Sequence, residues 1–346
     1  MAYTTIDKPT DYFNTKLYAG DNATSNAISG VGFKPDWLWI KNRSAISDHQ
    51  TADSVRGKSG SLFLQLRANT SDSEVVQPDD DGVKSLDSDG FTVGYTNSTA
   101  WNNSGNNYVA WSWLASNTTA SDTNGSINST VSVNTTAGFS IVSWTHDGGN
   151  STIGHGLGAI PQVVITKERN NSGSWNSYFK HVGNAHRMVL QGANAKISSS
   201  IWNSTTPTAN VFSMNDSITS TMIAYCFTEK KGYSKFGGYT GNGNADGVFV
   251  YTGFRPAWVM IKNVDNSSEE WGIWDSKRDV SNIMTRRLVA NITAAENTAD
   301  YLDFLSNGFK IRANRVDANA SGANFVYMAF AEAPFVNSNG VPCNAR

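Results

Sequence analysis

At 346 residues the chain is longer than one hydrophobic core comfortably serves, and its formal charge of −2 lacks the lysine and arginine density that a phosphate backbone demands, so nucleic acid is excluded as a partner. Only 16% of residues are charged and 39% are hydrophobic, while Asn, Ser, Thr and Gly fill much of the rest, a composition of short strands and polar turns rather than helices. No window approaches the roughly 18 apolar residues of a membrane span. Met1-Ala2-Tyr3-Thr4-Thr5 is no signal peptide, so a chain made and kept soluble, without membrane insertion, is expected.

In chain order, a first unit opens with the strand Lys16-Leu17-Tyr18 and a turn at Ala19-Gly20-Asp21-Asn22. Gly32-Phe33-Lys34-Pro35-Asp36-Trp37-Leu38-Trp39-Ile40-Lys41-Asn42 follows, in which proline presets φ at the start of an apolar strand. Alternation places Trp37 and Trp39 on one face and Leu38 and Ile40 on the other, so the strand should lie between two packed layers. The same pattern recurs in register at Gly253-Phe254-Arg255-Pro256-Ala257-Trp258-Val259-Met260-Ile261-Lys262-Asn263, and more faintly at Gly158-Ala159-Ile160-Pro161-Gln162-Val163-Val164-Ile165-Thr166-Lys167.

Other signals repeat with it. Asp53-Ser54-Val55-Arg56 lies 18 residues after Pro35, and Asp275-Ser276-Lys277-Arg278 lies 19 after Pro256; both read as turns held by a carboxylate and a guanidinium. Asp89-Gly90-Phe91 and Asn307-Gly308-Phe309 mark a turn into an alternating strand. Long apolar strands close each unit, at 108–113, 222–227 and 325–330. Between the first two units, the polar tract from Ala115 to Thr136 lacks apolar periodicity and reads as a linker. The expected architecture is therefore all-β: three tandem β-sandwich modules at 1–116, 137–231 and 232–336, a Ser/Thr/Asn linker at 117–136 and a C-terminal tail at 337–346. The second and third modules should form a rigid pair, with the first tethered more loosely.

Chemistry-bearing constellations are sparse. The histidines at 49, 146, 155, 181 and 186 show no zinc spacing, and no Gly-x-Ser-x-Gly elbow occurs. The acidic runs Asp79-Asp80-Asp81 and Glu269-Glu270 lie in hydrophilic loops, where solvated carboxylates serve neither glycoside hydrolysis nor, lacking alternate spacing, calcium. No catalytic residue, metal site or cofactor is assigned. Cys226 reads as a buried free thiol and Cys343 as a surface one, and Asn-x-Ser/Thr triplets at Asn117, Asn134 and Asn203 follow from composition. Tryptophans among amides suit sugars, so Trp101 with Asn102 and Trp175 with Asn176 are the candidate ligand-binding residues; Trp271 and Trp274 are expected to turn inward.

Tyr12-Phe13-Asn14-Thr15-Lys16-Leu17-Tyr18, Gly32-Phe33-Lys34-Pro35-Asp36-Trp37, Tyr233-Ser234-Lys235-Phe236-Gly237, 241–247, 304–310 and Phe330-Ala331-Glu332-Ala333-Pro334-Phe335 together resemble virion structural proteins of marine tailed bacteriophages. The resemblance spans nearly the whole chain. It implies a virion location, jelly-roll or concanavalin-like sandwiches, other virion proteins as partners and a homo-oligomer, with a trimer favoured. It further implies a tail fibre or tail-surface component that attaches to host-surface polysaccharide. A purely architectural capsid-decoration or tail-scaffold protein is the alternative, and a polysaccharide depolymerase comes third.

Overall fold

The computed structural model describes residues 2–76 and 80–343. Among these, the only helical pieces are the single turns Pro9–Asp11 and Val316–Asn319; the rest of the regular structure is β, in several sheets.

Three antiparallel sheets share one strand order. The first sets Phe13–Ala19, Asn107–Trp113, Trp37–Asn42, Gln50–Asp53 and Leu66–Arg67 side by side. In the second the corresponding strands are Phe139–Gly154, Val211–Phe227, Val163–Glu168, Asn176–Phe179 and His186–Val189. The third uses Ser234–Thr240, Asn324–Pro334, Phe254–Asn263, Gly272–Asp275 and Met284–Val289. Register makes the equivalence residue-specific. Trp37 pairs with Trp113 and Asp53, Val163 with Phe227 and Phe179, and Trp258 with Phe330 and Asp275. The three copies of the repeated motif are thus the middle strands of three matching sheets.

Period-two alternation decides what each face meets. Trp37, Trp39, Val163, Ile165, Trp258 and Met260 all enter one core cluster shared by the three sheets. Their neighbours point outward into separate cores: Leu38 and Ile40 with Phe91 and Val93, Val164 with Trp144 and Phe212, Val259 and Ile261 with Phe304 and Phe309. Outer strands complete those cores, Asn26–Ser29, Gly90–Val93 and Val83–Asp87 in the first segment and Phe249–Tyr251, Gly308–Ile311 and Asn297–Leu305 in the third. Gly90 and Gly308 sit where a Cβ would strike the backbone oxygens of Ile28 and Val250, which is why a glycine opens both outer strands. In the third segment the strand already runs from Phe254, so Pro256 falls within it and, lacking an N–H, forces register shifts on either side.

Two expectations are corrected. The tract at 117–136 is no linker, because Ala120–Asp122 and Ser129–Asn134 are strands that extend the second sheet, the latter paired along Phe139 to Ser143. The first segment is not loosely tethered either, since Phe13, Trp111 and Trp113 contribute to the same core as Phe227 and Phe330. The tail continues the packing as far as it is described: Ser338 donates its N–H to Asp7 at 2.7 Å and Val336 bridges Pro342, while 344–346 lie outside the described residues. Asp79 also lies outside them; Asp80 pairs with Lys84 at 2.8 Å, and Asp81 accepts the Thr96 N–H at 3.3 Å. Cys226 is buried and Cys343 exposed, both unbridged.

Candidate functional site

The three sheets meet at seams built on one plan. The carbonyl of Arg169 accepts the N–H of Glu74 at 2.7 Å, that of Arg43 accepts Glu296 at 2.9 Å, and that of Val264 accepts Lys196 at 2.8 Å. Each segment therefore grips the next in a closed cycle, the geometry of a three-fold ring made from one chain. In two seams the side chains follow: Arg169 clasps Glu74 with two bonds of 3.0 and 2.9 Å, and Arg43 clasps Glu296 with two of 2.9 Å. Glu74 and Glu296 are also reached by Arg56 and Arg278, the arginines of the repeated Asp-Ser-x-Arg turns. Asp53 and Asp275 hold those turns by accepting the backbone N–H of Arg56 and Arg278, and they accept Tyr225 Oη–H at 2.8 Å and Trp111 Nε1–H at 3.1 Å from the adjoining segment. The structural reading of the motif stands. In the third seam Val264 replaces the arginine, and Lys196 pairs with Asp265 at 2.6 Å instead.

Beside each seam a lysine of the repeated motif is buried, Lys41, Lys167 and Lys262, and burial lowers each to about 8. Their ammonium groups donate to main-chain carbonyls, those of Asn42, Glu168 and Glu269 at 2.7, 2.6 and 2.7 Å. His49 occupies the position taken by Trp175 and Trp271 in the other segments. Its Nδ1 accepts Trp39 Nε1–H at 2.9 Å, its other nitrogen faces the Val289 carbonyl, and burial holds its pKa well below 6.5. His155 is shifted down for the same reason. Both rings bind a proton less readily folded than unfolded, so their contribution to stability is present above about pH 6.5 and is lost as pH falls below it. Urea midpoints should therefore drop between pH 7.5 and 5.5, and H49Q, which keeps an acceptor for Trp39, should flatten that slope; equal slopes in the two proteins would contradict this assignment.

Each of the sequence-assigned ligand residues proves to be internal. Trp101 is 0% and Trp175 1% exposed. Trp101 packs in the outer core of the first segment, and its carbonyl accepts Tyr18 Oη–H at 2.8 Å. Asn102 ties the loop together, donating to Asp21 Oδ1 at 2.7 Å and the Ala23 carbonyl at 2.9 Å. The third segment repeats this staple with Ala318 and Asn319: Tyr239 Oη–H donates to Ala318 at 2.6 Å and Asn319 bonds Asn242 at 2.9 Å. Trp175 belongs to the shared core and donates Nε1–H across the seam to the Arg67 carbonyl at 2.9 Å, while Asn176 accepts from Arg187 at 2.8 Å. The amides around these rings are used by turns and strand partners, so polar neighbours did not signal exposure. Trp271 and Trp274 are buried, as expected.

An open cleft of about 410 Å³ lies on the third segment, lined by Glu269, Glu270, Arg287, Asn314, Arg315, Val316 and Asp317. The loop after Phe254–Asn263 supplies the two glutamates, Met284–Val289 supplies Arg287, and the single helical turn at Val316–Asn319 supplies Asp317. Asp317 receives Arg287 at 2.9 Å, Arg315 at 3.3 Å and Tyr301 Oη–H at 3.3 Å. Both guanidinium groups lie over the Tyr301 ring, at 5.3 and 5.0 Å. Burial, with the Asp317 charge adding to it, pushes the Glu269 carboxyl up, and Glu270 accepts a hydrogen bond from Asn291. The cleft offers acceptors and donors side by side, the equipment of a hydroxyl-binding site.

The family described as domain of unknown function DUF7483 matches residues 8–334. The chain belongs to this family. No curated protein and no solved structure matches it.

In this DUF7483 chain the cleft arises where the repeats diverge. Asp317, one residue before Ala318, takes the place that Ala100 holds before Trp101, and Arg287 takes the place of Gln65 in the strand register. Sequence reasoning had Glu269 and Glu270 in view as solvated loop residues but missed Arg287, Arg315 and Asp317. The available signal was the difference between aligned copies. Among the described residues no group of three or more His, Cys, Asp or Glu side chains is placed to hold a metal ion.

Proposed function

We propose that this DUF7483 chain is a phage virion structural protein, a tail-fibre or tail-surface component that attaches to host-surface glycans. In this reading the three segments are jelly-roll-like sandwich modules, and one chain performs the role that a homotrimer plays in other appendages. The observation that carries the reading is the cyclic seam: three matching sheets bury their aromatic faces against one another and leave the copies free to diverge in their outer layers, as the buried Asp317 and Ala100 do. Such a body is a rigid display scaffold, with its variation in surface loops. The architectural alternative, without a ligand, draws support from the burial of Trp101 and Trp175.

Purified protein incubated with host cells and with polysaccharide extracted from them should be retained by both, and it should elute from a sizing column with light-scattering detection at the mass of one chain. Absence of binding to either would leave the architectural role. Release of reducing sugar would revive the depolymerase.

A further inference from the structure

The outer surface of the third segment carries a feature that neither seam repeats nor core packing explain. Arg287 is 6% exposed, yet its Nε and Nη2 make no aligned hydrogen bond; Nη2 lies near Asp317 Oδ2 only as an ion pair. A buried guanidinium with idle donors costs stability unless something supplies acceptors. Gly272 keeps room chiefly for the Trp274 ring, which a Cβ there would strike, and such a Cβ would also stand 3.2 Å from Arg287 Nε. The equivalent positions are better partnered: Arg187 also has an unpaired Nε but bonds Asn176 at 2.8 Å through Nη1, and the first segment has Gln65.

We propose that the cleft between Glu269, Arg287, Asn314 and Asp317 is a binding site for an uncharged, polyhydroxylated sugar unit. Three carboxylates against two guanidinium groups leave one net negative charge on the lining, which disfavours an anionic polymer. Vicinal hydroxyls can donate to the glutamates while accepting from Arg287 and the Asn314 amide, satisfying both sets at once. About 410 Å³ lies in the range of small-ligand pockets. This inference deepens the glycan-attachment reading by naming the site and the ligand class.

Saturation-transfer NMR on the full chain with glucose, galactose, mannose, maltose and lactose tests it. At least one of these should show transfer, and E269Q and N314A should each weaken it at least tenfold with melting temperature unchanged; both residues lie at the rim, so neither change removes core packing. R287K, which keeps the charge but loses the planar fork, should weaken binding too. No transfer from any of the five sugars, transfer unaffected by E269Q and N314A, or binding confined to uronic-acid or sulfated sugars would each overturn the proposal. Cell adhesion by the wild type that E269Q and N314A leave intact would also overturn it while leaving host attachment standing. Failure of adhesion beside intact sugar binding would remove the attachment reading alone.

Discussion

Replacing Trp37 with alanine should cost about 3–5 kcal/mol of stability, the range for removing a large aromatic side chain from a packed core. Trp37 stacks on Trp113 of its own sheet at 4.4 Å and on Tyr225 of the second segment at 4.2 Å, with Phe139 and Phe227 at 6.0 and 6.1 Å. The hole would open at the seam between two segments rather than inside one. Urea unfolding followed by tryptophan fluorescence and by far-ultraviolet circular dichroism should shift together, because the lost contacts belong to both segments. W37F, which keeps a ring against Tyr225, should recover much of the loss. A W37A protein within about 1 kcal/mol of wild type would mean that the shared core does not carry this load.

Asp53→Ala should be about as damaging, at about 3–5 kcal/mol, for an electrostatic reason. The Asp53 and Arg56 side chains form an ion pair that is wholly buried, and the carboxylate also caps the backbone N–H of Val55 and Arg56. Removing it strands the guanidinium, with only main-chain oxygens and a 3.4 Å approach to Glu74 remaining, and orphans the Tyr225 hydroxyl across the seam. Tyr225→Phe, which deletes one hydrogen bond and leaves the ion pair, should cost about 1 kcal/mol. Denaturation midpoints of D53A, D53N and Y225F should therefore rank D53A lowest and Y225F highest. A Y225F loss equal to that of D53A would contradict the assignment of the energy to the ion pair. Asp275 and Arg278 repeat the arrangement with Trp111, so D275A should behave like D53A.

The middle strands were legible because their pattern is carried by neighbours in sequence: Trp37 and Trp39 against Leu38 and Ile40 declare two buried faces, and repetition fixes the register. The Asp-Ser-x-Arg turns were legible too, since a carboxylate three residues before an arginine forms a local structure. The partners of the inner faces were not legible. Nothing in a single repeat says that Trp37 will meet Tyr225, nearly two hundred positions away, so tandem beads and a closed ring look the same in the sequence. Ser129–Asn134 escaped notice for another reason: it is held by backbone bonds to Phe139–Gly154 and by polar contacts such as Ser116 with Ser132, with Val131 and Val133 as its only apolar residues. The tryptophan–amide pairs misled because Asn102 and Asn176 look solvated until Asp21, Ala23 and Arg187 are found to occupy them. The cleft was hidden in the same way, its arginines and carboxylates coming from three separated stretches.

Three repeats closing around one core hold the molecule together, and differential scanning calorimetry of the intact chain tests that closure. One core predicts a single endotherm whose calorimetric and van 't Hoff enthalpies agree, and which W37A moves as a whole to lower temperature. Two or three resolved endotherms, with W37A shifting only one of them, would mean that the segments fold as independent beads and that the shared core is not what holds this protein together.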